Sequence, residues 1–130
     1  DAGIPLGSQT VLLKGINDNA EILGKLFKGL LKIRVRPYYT YIADLIVGSG
    51  HFRTNVETGI NIFKELQGKI SGYAIPKLIV DAPNGLGKIP VQYNYIKECN
   101  GKDLTMENYE GKEFNYKNGW LNYLESYNRQ

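Results

Sequence analysis

The order of segments constrains this chain more than any single residue does: apolar strand, amphipathic helix, strand, helix, strand, joined by short connections. Gln9–Lys14 has the length and the apolar, β-branched content of a buried strand and is closed by Gly15. Asn17 and Asp18 are N-cap residues for a helix over about 18–31. Leu23, Leu26, Phe27 and Leu30 recur there at helical spacing, while Lys25, Lys28 and Lys32 take the other faces. Lys32–Asp44 reads as a long second strand ending on a carboxylate. After the loop Val47–Thr54, the tetrad Thr54-Asn55-Val56-Glu57 fits a capping box. It opens a helix over about 55–70 with a stripe of Val56, Ile60, Phe63, Leu66 and Ile70, ended by Ser71-Gly72. Tyr73–Val80 is the third strand. Strand, helix, strand is the parallel crossover unit, so the fold class is α/β. Chemistry in such sheets gathers at the carboxyl ends of the strands, where Gln9, Asp44 and Asp81 are expected.

The third strand delivers the stretch Val80-Asp81-Ala82-Pro83-Asn84-Gly85-Leu86-Gly87-Lys88-Ile89-Pro90. A carboxylate, two glycines and a lysine closed by proline follow an apolar run. Gly85 and Gly87 let the backbone approach a flat ligand, and an amine among apolar neighbours loses solvation, which favours its neutral, nucleophilic form. Lys88 is therefore a candidate for a Schiff base. The same residues also read as an ordinary turn with a solvated lysine. A phosphate loop fits less well, because Ala82 stands where that pattern needs Gly and Ile89 where it needs Ser or Thr.

With 130 residues and 42% hydrophobic content the chain can bury one real core. Its 16 basic and 13 acidic residues give a net charge of +3, spread along the chain, and no nucleic-acid surface is indicated. No apolar run reaches the ~18 residues that span a bilayer, and no signal pattern opens the sequence, so no membrane partner and a cytoplasmic location are expected. Asp1–Gly7 runs into a strand without an initiating Met and reads as internal sequence. Cys99 is the single cysteine, so no metal-ligating cluster is expected within these residues.

Beyond the third strand, Val91–Ile96 alternates as an exposed-face strand would and precedes a turn at Asn100-Gly101. Leu104–Phe114 holds another alternating stretch with a turn at Glu110-Gly111, and Trp120–Tyr127 reads as a short helix. His51, in a Gly-rich loop beside Arg53, reads as scaffolding or as a contact with cofactor or another subunit. Arg34 and Arg36, two apart on a strand, are expected to face one side.

Five motifs in order carry a resemblance: Pro5-Leu6-Gly7-x-Gln9-x-Val11-Leu12-Leu13-x-Gly15-x-Asn17-Asp18, Arg34-Val35-Arg36-Pro37-Tyr38-Tyr39, His51-Phe52-Arg53-Thr54, Ser71-Gly72-Tyr73, and Val80-Asp81-Ala82-Pro83-x-Gly85-x-Gly87-Lys88-x-Pro90. Over residues 3–96 the chain resembles the carboxyl-terminal part of the lysine 2,3-aminomutase family of radical S-adenosylmethionine enzymes. The resemblance implies the last βα units of a partial (β/α) TIM-like barrel over 1–90 and a β-rich extension over 91–130 engaged in subunit association, hence a homo-oligomer. It implies pyridoxal 5′-phosphate on Lys88, with Gly85 and Gly87 beside it. It implies S-adenosylmethionine near Gln9, and Asp44 and Asp81 on the side-chain ammonium of L-lysine. The [4Fe-4S] cluster of such enzymes would be held outside this segment.

The residues themselves agree about the carboxylates, because an ammonium drawn out of water needs opposite charge close by. Retention of both aspartates favours lysine over glutamate, since glutamate-specific relatives are expected to carry a lysine and an amide there. Asn84 and Leu86 depart from the family's more uniform glycine run before the lysine. The three-cysteine motif and the arginines expected to bind the phosphate and the substrate carboxylate are absent, so this segment by itself is not expected to be active. A related aminomutase making β-lysine for protein modification, or a non-catalytic assembly remnant, would share these motifs.

Overall fold

The structure, a computed structural model, describes residues 2–117. These fall into two compact units divided between Tyr93 and Asn94. The helix expected over Trp120–Tyr127 lies outside the described residues.

The first unit contains β1 (Leu6–Leu12), α1 (Ala20–Lys32), β2 (Val35–Ile42), α2 (Val56–Leu66), β3 (Lys77–Ala82) and β4 (Gly87–Pro90). They form one four-stranded sheet in the order β1-β2-β3-β4. β1, β2 and β3 run parallel and β4 returns antiparallel along β3, which bears out the two crossover units. The expected strand boundaries shift. β1 begins at Leu6 and ends at Leu12, and β2 begins at Val35 and ends at Ile42. Lys32 still belongs to α1, Arg34 takes a left-handed turn (φ 61°) after it, and Ala43 and Asp44 lie past the end of β2.

The cap of α1 is neither Asn17 nor Asp18. Asn19, with extended backbone, accepts from the amides of Glu21 at 2.7 Å and Ile22 at 3.2 Å. Asn17 instead bridges the turn after β1, accepting from the Leu13 amide and donating to the Val11 carbonyl, while Asp18 accepts from the Gly15 amide. Three cap-forming residues in a row share two jobs, and only the one next to the first helical turn can reach its free N–H groups.

On α1, Leu23 and Phe27 are wholly buried while Leu26 stays exposed, because the face in contact runs through positions 20, 23, 24, 27 and 31. Gly24 belongs to that face, and a Cβ on it would stand 3.3 Å from Leu66 Cδ2. Phe27 and Phe63 meet with ring centroids 6.3 Å apart.

α2 differs from expectation at both ends. Asn55, not Thr54, is its cap, accepting from the Thr58 amide at 2.7 Å. Thr54 is buried with a hydroxyl that has no hydrogen-bond partner. The helix stops at Leu66, four residues before the expected end, where Gly68 takes a positive φ of 77°. Within it Gly59 presses on the sheet: a Cβ there would lie 2.8 Å from Ile42 Cδ1 and 3.0 Å from Leu78 Cδ2. Both helices therefore cover the same sheet face, where Leu12, Leu23, Phe27, Leu66 and Leu78 form the core.

The second unit is an antiparallel meander of β5 (Ile96–Cys99), β6 (Asp103–Glu107) and β7 (Glu113–Lys117). Both expected turns are present, with Asn100 accepting from the Asp103 amide and Asn108 from the amides of Glu110 and Lys112. The strand expected over Val91–Ile96 is not formed, and pairing begins only at Ile96. Val91 instead continues the β4 edge, its amide donating to the Leu78 carbonyl, and its side chain packs on the core.

Candidate functional site

Side chains alternate along a strand, so the sheet has a second face whose residues are the neighbours in sequence of the core residues. The register sets Gln9 opposite Tyr39, Val11 opposite Tyr41, Tyr41 opposite Ile79, and Asp81 opposite Lys88. That face meets neither helix. A cleft of about 490 Å³ opens on it, and Gln9, Tyr41, Asp44, Asp81 and Lys88 are among its walls. Four of the sequence-predicted residues, Gln9, Asp44, Asp81 and Lys88, thus share one cavity. An adjoining cleft of about 660 Å³ is also bordered by Asp44 and Asp81, and there by Arg53 and Thr54 as well.

Two placements differ from the sequence expectation. Gln9 lies in the middle of β1 rather than at its carboxyl end, and its side-chain amide donates to the Tyr38 hydroxyl. The β1–β2 register slips between Ser8 and Gln9, leaving Tyr38 as the extra residue on β2. Lys88 sits not in a loop but on β4, at the second position of the strand. Between β3 and β4 the chain turns through Pro83–Gly85, with left-handed φ values at Asn84 (59°), Gly85 (74°) and Gly87 (95°). The glycines meet a backbone requirement, and Asn is the side chain that tolerates this region best. Open space surrounds both, while Leu86, which interrupts the glycine run, is itself exposed.

The antiparallel register places Lys88 directly across from Asp81, and the two side chains form an ion pair. Lys88 Nζ donates to both carboxylate oxygens, at 2.9 and 3.2 Å, and stands 5.0 Å from the centre of the Tyr41 ring. The hydrogen bond to Asp81 raises the Lys88 amine above its ordinary range and outweighs the desolvation that acts the other way. This corrects the expectation of a neutral amine among apolar neighbours: Lys88 is half exposed and held protonated. Asp44, exposed just beyond β2, has no ion-pair partner among the described residues.

Lys88, reachable from the cleft and flanked by an aromatic ring and open glycine backbone, fits the amine end of an aldehyde cofactor. An iron–sulfur cluster does not fit here, since no group of three metal-ligating side chains occurs among the described residues and Cys99 is alone. No helix among the described residues is long and apolar enough to cross a membrane. The His51 ring lies tilted against that of Phe52, centroids 4.0 Å apart, outside the residues that wall either cleft. Arg34 lies in the turn before β2 rather than on the strand, yet it lines one cleft together with Arg36, whose guanidinium stands 4.5 Å over the Tyr73 ring. Tyr41 escaped the sequence reading, although its two-residue spacing from Tyr39 on a strand with buried Thr40 between them was visible.

Comparison with known proteins converges on one family. A family model described as lysine-2,3-aminomutase matches residues 63–126. The L-lysine 2,3-aminomutase of Acetoanaerobium sticklandii is 53% identical over 111 residues, which cover 85% of this chain and 27% of that protein. The L-lysine 2,3-aminomutase of Clostridium subterminale is 50% identical over the same shares. The glutamate 2,3-aminomutase of Clostridioides difficile is 43% identical over 86% of this chain and 26% of that protein. The chain spans about a quarter of the length of the curated relatives it matches. With half its residues shared with these enzymes over most of its length, the chain belongs to the lysine 2,3-aminomutase family, as part of the carboxyl-terminal portion of a larger enzyme.

Proposed function

We propose that the full protein interconverts L-lysine and β-lysine by moving an amino group between adjacent carbons, and that this segment supplies the lysine-reading side of the site. The observation that carries the reading is the cleft shared by Lys88, Asp81 and Asp44, one amine with two carboxylates, in a chain half identical to L-lysine 2,3-aminomutases. In this reading β1, β2 and β3, with both helices on one face, are the last units of a partial (β/α) barrel, and the open face is its interior.

Lys88 would hold pyridoxal phosphate until the substrate's amine takes its place there, and the cofactor would then stabilise the migrating group; S-adenosylmethionine, beside Gln9, and a [4Fe-4S] cluster bound elsewhere in the protein would supply the radical. Asp44 and Asp81 bind the distal ammonium of the substrate and set its distance from Lys88. The ammonium keeps its charge in the cleft because the two carboxylates replace the water it loses. Tyr41 and Val11, which line the same cleft, give the aliphatic chain an apolar wall. A glutamate side chain would bring a third carboxylate against the two aspartates, and the site rejects it by like charge.

The test is turnover of L-lysine and L-glutamate by the full-length, cofactor-loaded protein. β-Lysine as the product, with no β-glutamate, is the expected result; the opposite preference overturns the assignment. Asp44→Asn should raise KM for lysine on the order of tenfold or more, the loss of one charge-assisted hydrogen bond.

A further inference from the structure

We propose that Tyr38 is a positioning residue for the group that binds beside Gln9: its hydroxyl takes the Gln9 side-chain amide by the nitrogen, which settles the rotamer of Gln9 and leaves the amide oxygen to accept a hydrogen bond from an N–H or O–H of the ligand. The inference rests on the proposed placement of S-adenosylmethionine beside Gln9 and goes beyond it, because it names the residue that prepares that contact and the kind of group the contact takes.

Features of both strands converge on Tyr38. In the β1–β2 register Ser8 pairs with Pro37 and Gln9 with Tyr39, so Tyr38 is left over between them. A bulge of this kind re-aims the extra side chain out of the alternation of its strand, and such bulges recur beside active sites. Gly7 on β1 leaves the room that the ring occupies: a Cβ there would stand 3.0 Å from Tyr38 Cδ1 and 3.3 Å from Tyr38 Cε1. The Tyr39 ring lies tilted against it, centroids 4.5 Å apart. A ring held in this way brings its hydroxyl to Gln9, whose Nε2 donates to it.

The effect on Gln9 follows from the chemistry of the amide. A glutamine side chain on an open sheet face has several rotatable bonds, and a ligand that orders it has to offset the lost entropy. The bond to Tyr38 orders it beforehand. The amide carries N–H donors at one end and a carbonyl oxygen at the other. With the nitrogen on the Tyr38 hydroxyl, the oxygen is the end left over, and it has no hydrogen-bond partner among the described residues. Gln9 is a wall of the cleft of about 490 Å³, and Tyr38 is not; Tyr38 lines the different cleft of about 570 Å³ that holds Arg34 and Arg36. Tyr38 therefore acts on a ligand of the first cleft through Gln9. S-Adenosylmethionine has matching donors in its adenine amine, its ribose hydroxyls and its α-ammonium.

The experiment measures binding of S-adenosylmethionine to the full-length, cofactor-loaded protein without reductant, by equilibrium dialysis, in a double-mutant cycle. Tyr38→Phe should weaken binding on the order of fivefold and Gln9→Ala at least as much. Added to Gln9→Ala, Tyr38→Phe should cost less than about twofold more, because the hydroxyl then has nothing to hold. Gln9→Glu, which accepts at both ends, should keep the parent affinity within about threefold. Capture of pyridoxal phosphate at Lys88, read by borohydride reduction and peptide mass, should be the same in Tyr38→Phe as in the parent. An equal cost of Tyr38→Phe in both backgrounds overturns the proposal, as does a parallel loss of capture at Lys88, which would mean a disturbed sheet. A loss in Gln9→Glu as large as in Gln9→Ala overturns the assignment of the oxygen as the accepting end. Unchanged binding in Gln9→Ala overturns the placement of S-adenosylmethionine beside Gln9, and the role of Tyr38 with it.

Discussion

Along β3 the surroundings change from one end to the other. Leu78 packs into the core beneath the helices and Ile79 is equally buried, whereas Asp81, near the carboxyl end, borders the cleft. The covered face has Gly59 of α2 against Ile42 and Leu78, packed so closely that a single added carbon would collide. The open face holds polar groups that pair with one another across strands, Gln9 with Tyr38 and Asp81 with Lys88. A parallel sheet with helices on one side separates stability from chemistry by parity along each strand, so a residue's role follows from its register.

The contrast is open to test, beginning where the covered face has most to lose. Phe27→Ala removes a wholly buried ring that packs on Phe63 and should cost about 3–5 kcal/mol in chemical denaturation. A loss below 1 kcal/mol would mean that the helices do not form the core described. Asp81→Asn belongs to the other face. It should weaken lysine binding on the order of tenfold or more, by the loss of charge-assisted hydrogen bonds, while the melting temperature moves little. A large drop in melting temperature with unchanged KM would reverse the assignment of the two faces.

Asn19→Ala should destabilise by about 1 kcal/mol, and Asp18→Ala should leave α1 capped. Equal costs would show that the cap is shared. Smallest of all, Leu26→Ala should change stability by less than about 0.5 kcal/mol although its neighbour Phe27 is critical, because Leu26 is exposed.

The ion pair has a pH signature of definite sign. Lys88 is raised above its ordinary value of 10.5, so its contribution to stability is complete below that value and is lost as the pH climbs through the raised one. Unfolding followed from pH 8 to 12 should show a fall at the alkaline end that is smaller in Lys88→Met. An identical fall in both proteins would remove the ion pair from the account.

Much of this was legible beforehand, and the errors share a cause. Apolar periodicity located three parallel strands and two helices, and an ordered set of motifs pointed to the family that the comparisons establish. The errors fell where several residues could do one job or where a partner lay on another strand. Asn17, Asp18 and Asn19 can all cap, and distance to the first helical turn chose Asn19. Thr54 and Glu57 spell a capping box, yet Asn55 occupies the cap and leaves the Thr54 hydroxyl buried without a partner. Leu26 matched the stripe by spacing, but the close approach of α1 to α2 at Gly24 turned it outward.

Local sequence determined which segments are helix and strand, because propensity, apolar period and turn residues act over a few neighbours. It also determined that Asp81 and Lys88 lie close, since the six residues between them, with Pro83, Asn84, Gly85 and Gly87, return the chain on itself. Their relation was decided by the tertiary structure. The β3–β4 register put the carboxylate directly opposite the amine and turned an expected neutral nucleophile into one half of an ion pair. Protonation depends on the charges within a few ångströms in space, and strand pairing, which is non-local, is what brings them there.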